Sequence, residues 1–336
     1  MEAYTTHNLA TELKKISLQG NVAGIHSRLS AIGEIDPSPV SENEARKGMR
    51  PFVKTVINAF VEALGPEGTL FVPSHSNNTE LDAWWYYHGH NKQMPPNNGF
   101  YHPEISPSNV GAFTQGVIAH NQGIRSLHPT HSTAAIGKEA RYLTNGHGPD
   151  SQPVGIQNAF SKAIGLDGTI IFIGAVFNSN TMFHAYETLF LPALAPYFPA
   201  VAMVEQQGER RLFAQTWHPS LHREFYDNKR EESKSIRALF ESGLMHESSL
   251  GNAPLFYYNA KEMARYFLER MIREPDILFC TNGARCGRRK SCLNIIFSMK
   301  KLFANKDGSW DTEKIRSQVP QEVLRLLEPG MQKTVF

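Results

Sequence analysis

A chain of 336 residues, 41% hydrophobic and 20% charged, has enough apolar side chain for one large α/β core, or one core with an appended subdomain, and its composition is neither disordered nor fibrous. A formal charge of +2 argues against nucleic acid as the main partner, and no apolar run approaches the eighteen residues of a membrane span. The polar first segment, residues 1–19, has no signal-peptide core, and three cysteines crowded into one short stretch (Cys280, Cys286, Cys292) do not make a disulfide framework, so a cytoplasmic chain with reduced thiols is expected.

Residues 21–27 are short, mostly apolar and end in polar residues, which predicts a buried strand delivering His26 at its carboxyl end. Ser41 and Glu44 have capping-box spacing, but Pro51 suits a first helical turn better, so the main helix is expected to start there. Phe52, Val53, Val56, Ile57, Phe60 and Leu64 follow at helical spacing, with Gly65 as the cap. A second strand, Thr69 to Pro73, completes a strand–helix–strand unit whose two strands pair in parallel. Residues 74–108, with Asn77-Asn78, the run Trp84-Trp85-Tyr86-Tyr87 and Pro95-Pro96, lack periodicity and read as loop and insertion, either functional or a cover over the core.

Ala134 to Leu143 looks helical, and Asn158 is placed to cap a helix ending near Gly165. Asp167-Gly168 then turns the chain into a central strand, Thr169 to Gly174. A helix over Phe183 to Leu191 would put His184 and Glu187 on one face. Residues 200–217 alternate as an antiparallel hairpin turning near Gln207-Gly208, and 259–272 repeat at helical spacing. The fold class expected is α/β, a central mostly parallel sheet flanked by helices with an antiparallel addition and a C-terminal extension.

Several common site motifs are absent. No Gly-rich loop ends in Lys-Ser/Thr, Gly146-His-Gly148 lacks the third glycine of a dinucleotide turn, His246-Glu247 has no second histidine, and no Gly-x-Ser-x-Gly elbow occurs.

Three ordered blocks carry a resemblance: His26-Ser-Arg-Leu-Ser-Ala-Ile-Gly33, Arg125-Ser-Leu-His-Pro-Thr-His-Ser-Thr-Ala-Ala-Ile-Gly137 and Thr181-Met-Phe-His-Ala-Tyr-Glu187. With weaker connectors, over roughly residues 16 to 279, they resemble the aminoglycoside 3-N-acetyltransferase family, which is distinct from the Gcn5-related acetyltransferases. The resemblance implies an acyltransferase domain over residues 1–279, with 280–336 as an extension. It also implies acetyl-CoA or another acyl-CoA as co-substrate, no metal, and a small-molecule amine acceptor: an aminoglycoside, an aminocyclitol or an amino sugar. A resistance role and a biosynthetic one both stay open, and a homodimer is allowed.

Site residues follow from the same resemblance. His184 matches a base that takes the amine proton, Glu187 orients its ring, and Thr181 donates to the developing oxyanion. His26 matches a further active-site histidine near the thioester or the acceptor. The coenzyme side comprises Ser27, Arg28, Leu29, Ser30 and Gly33, whose loop offers backbone N–H groups to phosphate and pantetheine, together with Ser132. His128, Ser74 and His75 fall on the acceptor side.

Two departures qualify the match: Arg28 stands where the family has serine, and Gln157-Asn158 replaces its Ser-Pro. A slightly basic chain is also a poor host for a polycation, which keeps a less cationic acceptor open. The cysteine spacing does not suit a zinc site, and Arg288, Arg289 and Lys290 read as a solvated basic turn. Two alternatives stand beside the acyltransferase: a metal-dependent hydrolase with His26, His128, His184 and Glu187 as ligands, and a non-catalytic sugar-binding protein of the same fold.

Overall fold

The computed structural model describes residues 3–76, 101–104, 106–174, 177–190, 198–206, 209–217, 234–278 and 289–328. In chain order the elements are α1 (Thr6–Lys14), β1 (Val22–Ser27), α2 (Glu42–Arg46), α3 (Pro51–Leu64), β2 (Thr69–Pro73), α4 (Ala112–Ala119), β3 (Ile124–Arg125), β4 (Thr133–Gly137), α5 (Ala140–Thr144) and α6 (Ala159–Gly165). They continue with β5 (Thr169–Ile173), α7 (Met182–Phe190), β6 (Phe198–Gln206), β7 (Glu209–Trp217), α8 (Lys234–Glu241), β8 (His246–Leu250), β9 (Ala253–Asn259), α9 (Ala260–Arg273), α10 (Arg289–Phe303), α11 (Thr312–Arg316) and α12 (Gln321–Leu326).

Seven strands form one sheet in the order β3-β4-β2-β1-β5-β9-β8. The strand–helix–strand unit read from residues 21–73 is present, with Val22 opposite Thr69 in parallel register, and β5 pairs in parallel on the other side of β1. Among the described strands, parallel pairing is confined to these three. Both wings run antiparallel, β4 against β2 and β9 against β5, a larger antiparallel share than the sequence pattern suggested.

Side-chain alternation along each central strand feeds two cores. Ala23, Ile25, Leu70, Val72, Ile171 and Ile173 face one side, under Leu9, Leu13, Val53, Val56 and Phe60 of α1 and α3. Val22, Phe71, Ile170 and Phe172 face the other, under Phe160, Phe183, Tyr186 and Phe267 of α6, α7 and α9. Gly24 allows β1 to sit between its neighbours, because a Cβ there would lie 2.5 Å from Phe71 Cζ.

The helix expected over Ala134 to Leu143 is instead a strand followed by a short helix, β4 and α5. Alanine favours helix locally, but Leu70 pairs with Ile136 and Val72 with Ala134, and burial between two layers overrides that preference. Gly137, at φ 120°, breaks the run, and a side chain there would strike the Gly68 carbonyl. The hairpin over 200–217 is present as β6 and β7, Gln206 opposite Glu209. Its Gln207-Gly208 turn, the 84–87 aromatic run, Cys280, Cys286 and Arg288 lie outside the described residues, as do the side chains of Arg289, Lys290 and Cys292.

Within the C-terminal extension, Phe303, Ile315, Val323 and Leu326 join the core under α9. Arg316 pairs with Glu269 in a two-pronged contact, and Arg265 Nε donates to the Leu327 carbonyl at 2.7 Å. Among the described residues no helix is long and apolar enough to cross a membrane.

The capping box at Ser41 and Glu44 makes its own short helix, α2, ahead of α3. Glu44 is buried, accepts from Ser41 N at 3.0 Å and pairs with Lys54 Nζ at 2.6 Å. Burial alone would raise its carboxyl, but the Lys54 and Ser41 hydrogen bonds outweigh burial and bring it down to about 2. The ionised form therefore contributes stability in full above about pH 4.5, and that contribution is lost as pH falls toward about 2. Urea titrations between pH 2 and 6 are expected to show this acid loss in the wild type and a shallower one in Glu44→Gln. Equal slopes in the two proteins would contradict the assignment.

Candidate active site

The carboxyl ends of β2, β1 and β5 lie side by side, and β1 delivers His26 and Ser27 there. From β5 the chain runs through Gly174 to α7, whose first amide, Met182 N, donates to Asn180 Oδ1 at 3.1 Å. The helix is pinned by its aromatic face: Tyr186 stacks on Phe267 at 4.9 Å and on Phe190 at 5.3 Å. His184 is the one residue of α7 that is not fully buried, its side chain 20% exposed.

Glu187 lies one turn on and is buried, and its Oε2 accepts from His184 Nδ1 at 3.0 Å. A carboxylate accepts, so Nδ1 carries the hydrogen and the neutral ring keeps its lone pair on Nε2. Thr181 precedes the helix and is buried, its hydroxyl without a hydrogen bond among the described residues. Its carbonyl accepts from His184 N at 3.1 Å.

Five further imidazoles lie nearby, all held neutral. His26 is sandwiched between Phe172 (5.2 Å) and Phe160 (5.4 Å), and burial, assisted by the charge of His75, lowers it to about 3. Burial likewise lowers His75 to about 3, with His184 and Arg125 adding to the effect. His128 and His131 are pushed well below the usual histidine range, chiefly by burial. His128 Nδ1 accepts from His131 N at 3.0 Å and Thr130 N at 3.3 Å, and its ring stacks on His147 at 4.7 Å. His147 faces the Pro153 carbonyl at 3.1 Å and the Ser126 hydroxyl at 3.0 Å, and burial lowers it to about 3.

Arg125 organises the β2 side. Its Nε donates to Ser132 Oγ at 2.9 Å, its other nitrogens reach the carbonyls of Ser106 and Ser74 and the Ser76 hydroxyl at 2.5 to 2.6 Å, and Tyr101 lies 5.1 Å away under the guanidinium. Every hydrogen-bond partner of this buried cation among the described residues is a neutral oxygen. Ser74 and Ser132, expected at the acceptor and coenzyme sides, are wholly buried in the same network, Ser132 Oγ donating to the Ser74 carbonyl at 2.7 Å. His128, expected at the acceptor side, is wholly buried as well.

The remaining coenzyme-side residues come together. Ser27, Arg28, Leu29, Ser30 and Gly33 line a pocket of about 580 Å³, faced by Phe52 and Phe113. The turn over Leu29–Ala31 closes it, and Gly33, at φ 106°, leaves room where a Cβ would meet Asn252 Nδ2 at 2.7 Å. A larger cavity of about 740 Å³, between Gly68 and Lys138, lies at the other end of β2 and holds none of these groups.

The ligand set His26, His128, His184 and Glu187 does not assemble for a metal. Among the described residues no group of three or more His, Cys, Asp and Glu side chains is placed to hold an ion. His26 is clamped between rings, His128 Nδ1 is taken by amides, and Glu187 accepts from His184. Sequence reasoning did not single out Arg125 or His147. Arg125 opens the second block and His147 sits in the Gly-His-Gly string, but neither position announces a buried hub.

The family model described as aminoglycoside 3-N-acetyltransferase matches residues 25–272. The chain is 27% identical over 194 residues to the prophage-derived aminoglycoside N(3')-acetyltransferase-like protein YokD of Bacillus subtilis, covering 54% of this chain and 64% of that protein. It is 27% identical over 189 residues to aminoglycoside N(3)-acetyltransferase IX of Micromonospora chalcea, covering 55% and 62%. These matches span less than two thirds of the relatives' own length. Among solved structures, YokD superposes with a TM-score of 0.67 at 20% identity, over 82% of this chain and 96% of that one. A binary complex of AAC-IIIb with CoASH superposes at 0.66 and 18% identity, over 81% and 98%. At these identities the likeness establishes the fold.

The Arg125 network has a measurable consequence. Arg125→Met leaves buried hydroxyls and carbonyls without a donor, each such loss costing about 1–3 kcal/mol, so unfolding free energy is expected to drop by at least about 3 kcal/mol. Arg125→Lys should recover part of it. A loss below about 1 kcal/mol for the methionine variant in urea would show that the network does not hold this edge together.

Proposed function

The chain belongs to the aminoglycoside 3-N-acetyltransferase family, and we propose from that premise that it is an acyltransferase moving an acyl group, acetyl in the first instance, from coenzyme A to an amino group of an aminoglycoside or a related aminocyclitol or amino sugar. The observation that carries the reading is the 3.0 Å contact of His184 Nδ1 with buried Glu187, set where the central strands end, with the Ser27–Gly33 pocket on the loop after β1. A base needs water or substrate on one nitrogen and an orienting acceptor on the other, and His184 is partly exposed while its Nδ1 faces Glu187.

In this reaction the amine nitrogen attacks the thioester carbonyl, the C–N bond forms and the C–S bond breaks. The proton released by the amine passes to His184 Nε2, and Glu187 stabilises the imidazolium. The sulfur leaves and takes that proton back from the imidazolium, so coenzyme A departs as its thiol and His184 returns to its neutral form. The Thr181 hydroxyl donates to the carbonyl oxygen as it gains charge. Arg28, exposed at the pocket rim in place of the family's serine, supplies a cation suited to a coenzyme phosphate, and the turn from Leu29 to Gly33 supplies backbone. His26, neutral between two phenyl rings, borders the thioester side.

Two proteins of the same fold support the substrate pair: AAC-IIIb forms a binary complex with CoASH, and AAC-VIa binds sisomicin. The test is thiol release from acetyl-CoA across a panel of amines. His184→Ala is expected to lose about 10²–10⁴-fold in kcat with its thermal midpoint retained, and Glu187→Gln to lose a similar factor. Full activity in a folded His184→Ala protein would remove the assigned base. Coenzyme A binding with no turnover of any amine would favour a binding protein that keeps the fold.

A further inference from the structure

The proposed reaction leaves one central imidazole without a task. His75 follows the carboxyl end of β2, where Ser74 N donates to the Ser132 carbonyl at 2.7 Å and Ser76 N to the Thr130 carbonyl at 2.9 Å, so its backbone is tied on both sides. The His75 carbonyl accepts from Asn109 N and Ser108 Oγ, each at 3.1 Å. Alternation along this extended segment puts the Ser74 and Ser76 hydroxyls on Arg125 and turns His75 the other way, against the ring of His131 at 4.6 Å.

Its ring lies against His131, and β2 ends beside β1, the strand that delivers His26. A charge on His75 is felt by His26 at the end of β1 and by His131, and the charges of His184 and Arg125 are felt by His75 in turn. His75 Nε2 is enclosed and has no hydrogen-bond partner among the described residues. A buried ring nitrogen left unpaired is costly, and such atoms are retained where a ligand or water completes the bond.

We infer that His75 is a second oxyanion donor of the acyl transfer: with its hydrogen on Nε2 and its ring neutral, it hydrogen-bonds the thioester carbonyl oxygen alongside Thr181. The inference rests on the acyl-transfer reading and moves His75 from the acceptor side to the thioester. Its place just after the carboxyl end of β2, beside the end of β1 that carries His26 and leads into the coenzyme-side loop, matches a contact to the atom where charge develops. Burial and the neighbouring His184 and Arg125 keep the ring neutral, so it does not compete with His184 for the amine proton. His75 lends a hydrogen bond and takes no proton. The bonds made and broken are those of the transfer itself.

The test compares wild type, His75→Ala and His75→Gln. With the amine that gives most thiol release, His75→Ala is expected to lose about 10²–10³-fold in kcat with KM within about threefold, and His75→Gln, whose amide can still donate, to regain about tenfold of it. Thermal midpoints monitor folding, since a purely packing role would lower stability and spare no variant. A folded His75→Ala protein with kcat within about threefold of wild type overturns the inference. A second arm uses calorimetry with an acetyl-CoA analogue whose thioester sulfur is replaced by methylene, which keeps the carbonyl but cannot transfer. His75→Ala should weaken this ketone by about five- to tenfold and leave coenzyme A unchanged. A wild type that turns over no amine removes the acyl-transfer reading, whereas equal ketone affinity in wild type and His75→Ala removes the role of His75.

Discussion

A carboxylate taken out of water must be given a donor, and in this protein Glu187 is given the Nδ1 hydrogen of His184. Much of the architecture around α7 serves that contact. The two side chains meet because they are three residues apart on a helix, the helix holds still because Tyr186 and Phe183 pack on Phe267 and Phe190 stacks on Tyr186, and its start is set by the hydrogen bond from Met182 N to Asn180. Fixing the tautomer on Nδ1 leaves Nε2 as the basic nitrogen. The carboxylate therefore determines which nitrogen of the ring keeps its lone pair.

The contrast between His184 and its neighbours has one physical origin, access to water. His26, His128 and His147 are enclosed by rings, strands and carbonyls, and burial dominates the fall in their proton affinity. His184 stands at the edge of the same cluster with part of its ring exposed. Arg125 reinforces the arrangement, since a buried cation disfavours a second positive charge nearby and its fork of donors ties Ser74, Ser76, Ser106 and Ser132 into one unit.

The sheet supplies the meeting point. Three parallel strands end on the same side, so the loops after β1, β2 and β5 converge although they are far apart in the chain, and the antiparallel wings leave that convergence intact. The residues expected at the coenzyme side illustrate the outcome. Ser27 to Ser30 and Gly33 lie within seven residues of chain and stay together, whereas Ser132, just ahead of β4, is drawn into the Arg125 network.

What the sequence determined by itself was local and periodic. The start of α3 at Pro51, its end at Gly65, the cap at Asn158, the central strand from Thr169 and the three-residue spacing of His184 and Glu187 all follow from interactions between residues close in the chain, so the pattern of residue types was enough to read them. Ala134 to Ile136 shows where that logic stops: a helix-favouring run becomes a strand because β2 offers it partners more than sixty residues away. The tertiary structure alone decided that Arg125 would be buried without a carboxylate among the described residues, that His26, His128, His131 and His147 would be buried while His184 keeps contact with water, and that His75 would follow β2 beside the end of β1. Desolvation and convergence are properties of how distant segments pack, and no short stretch of residues encodes them.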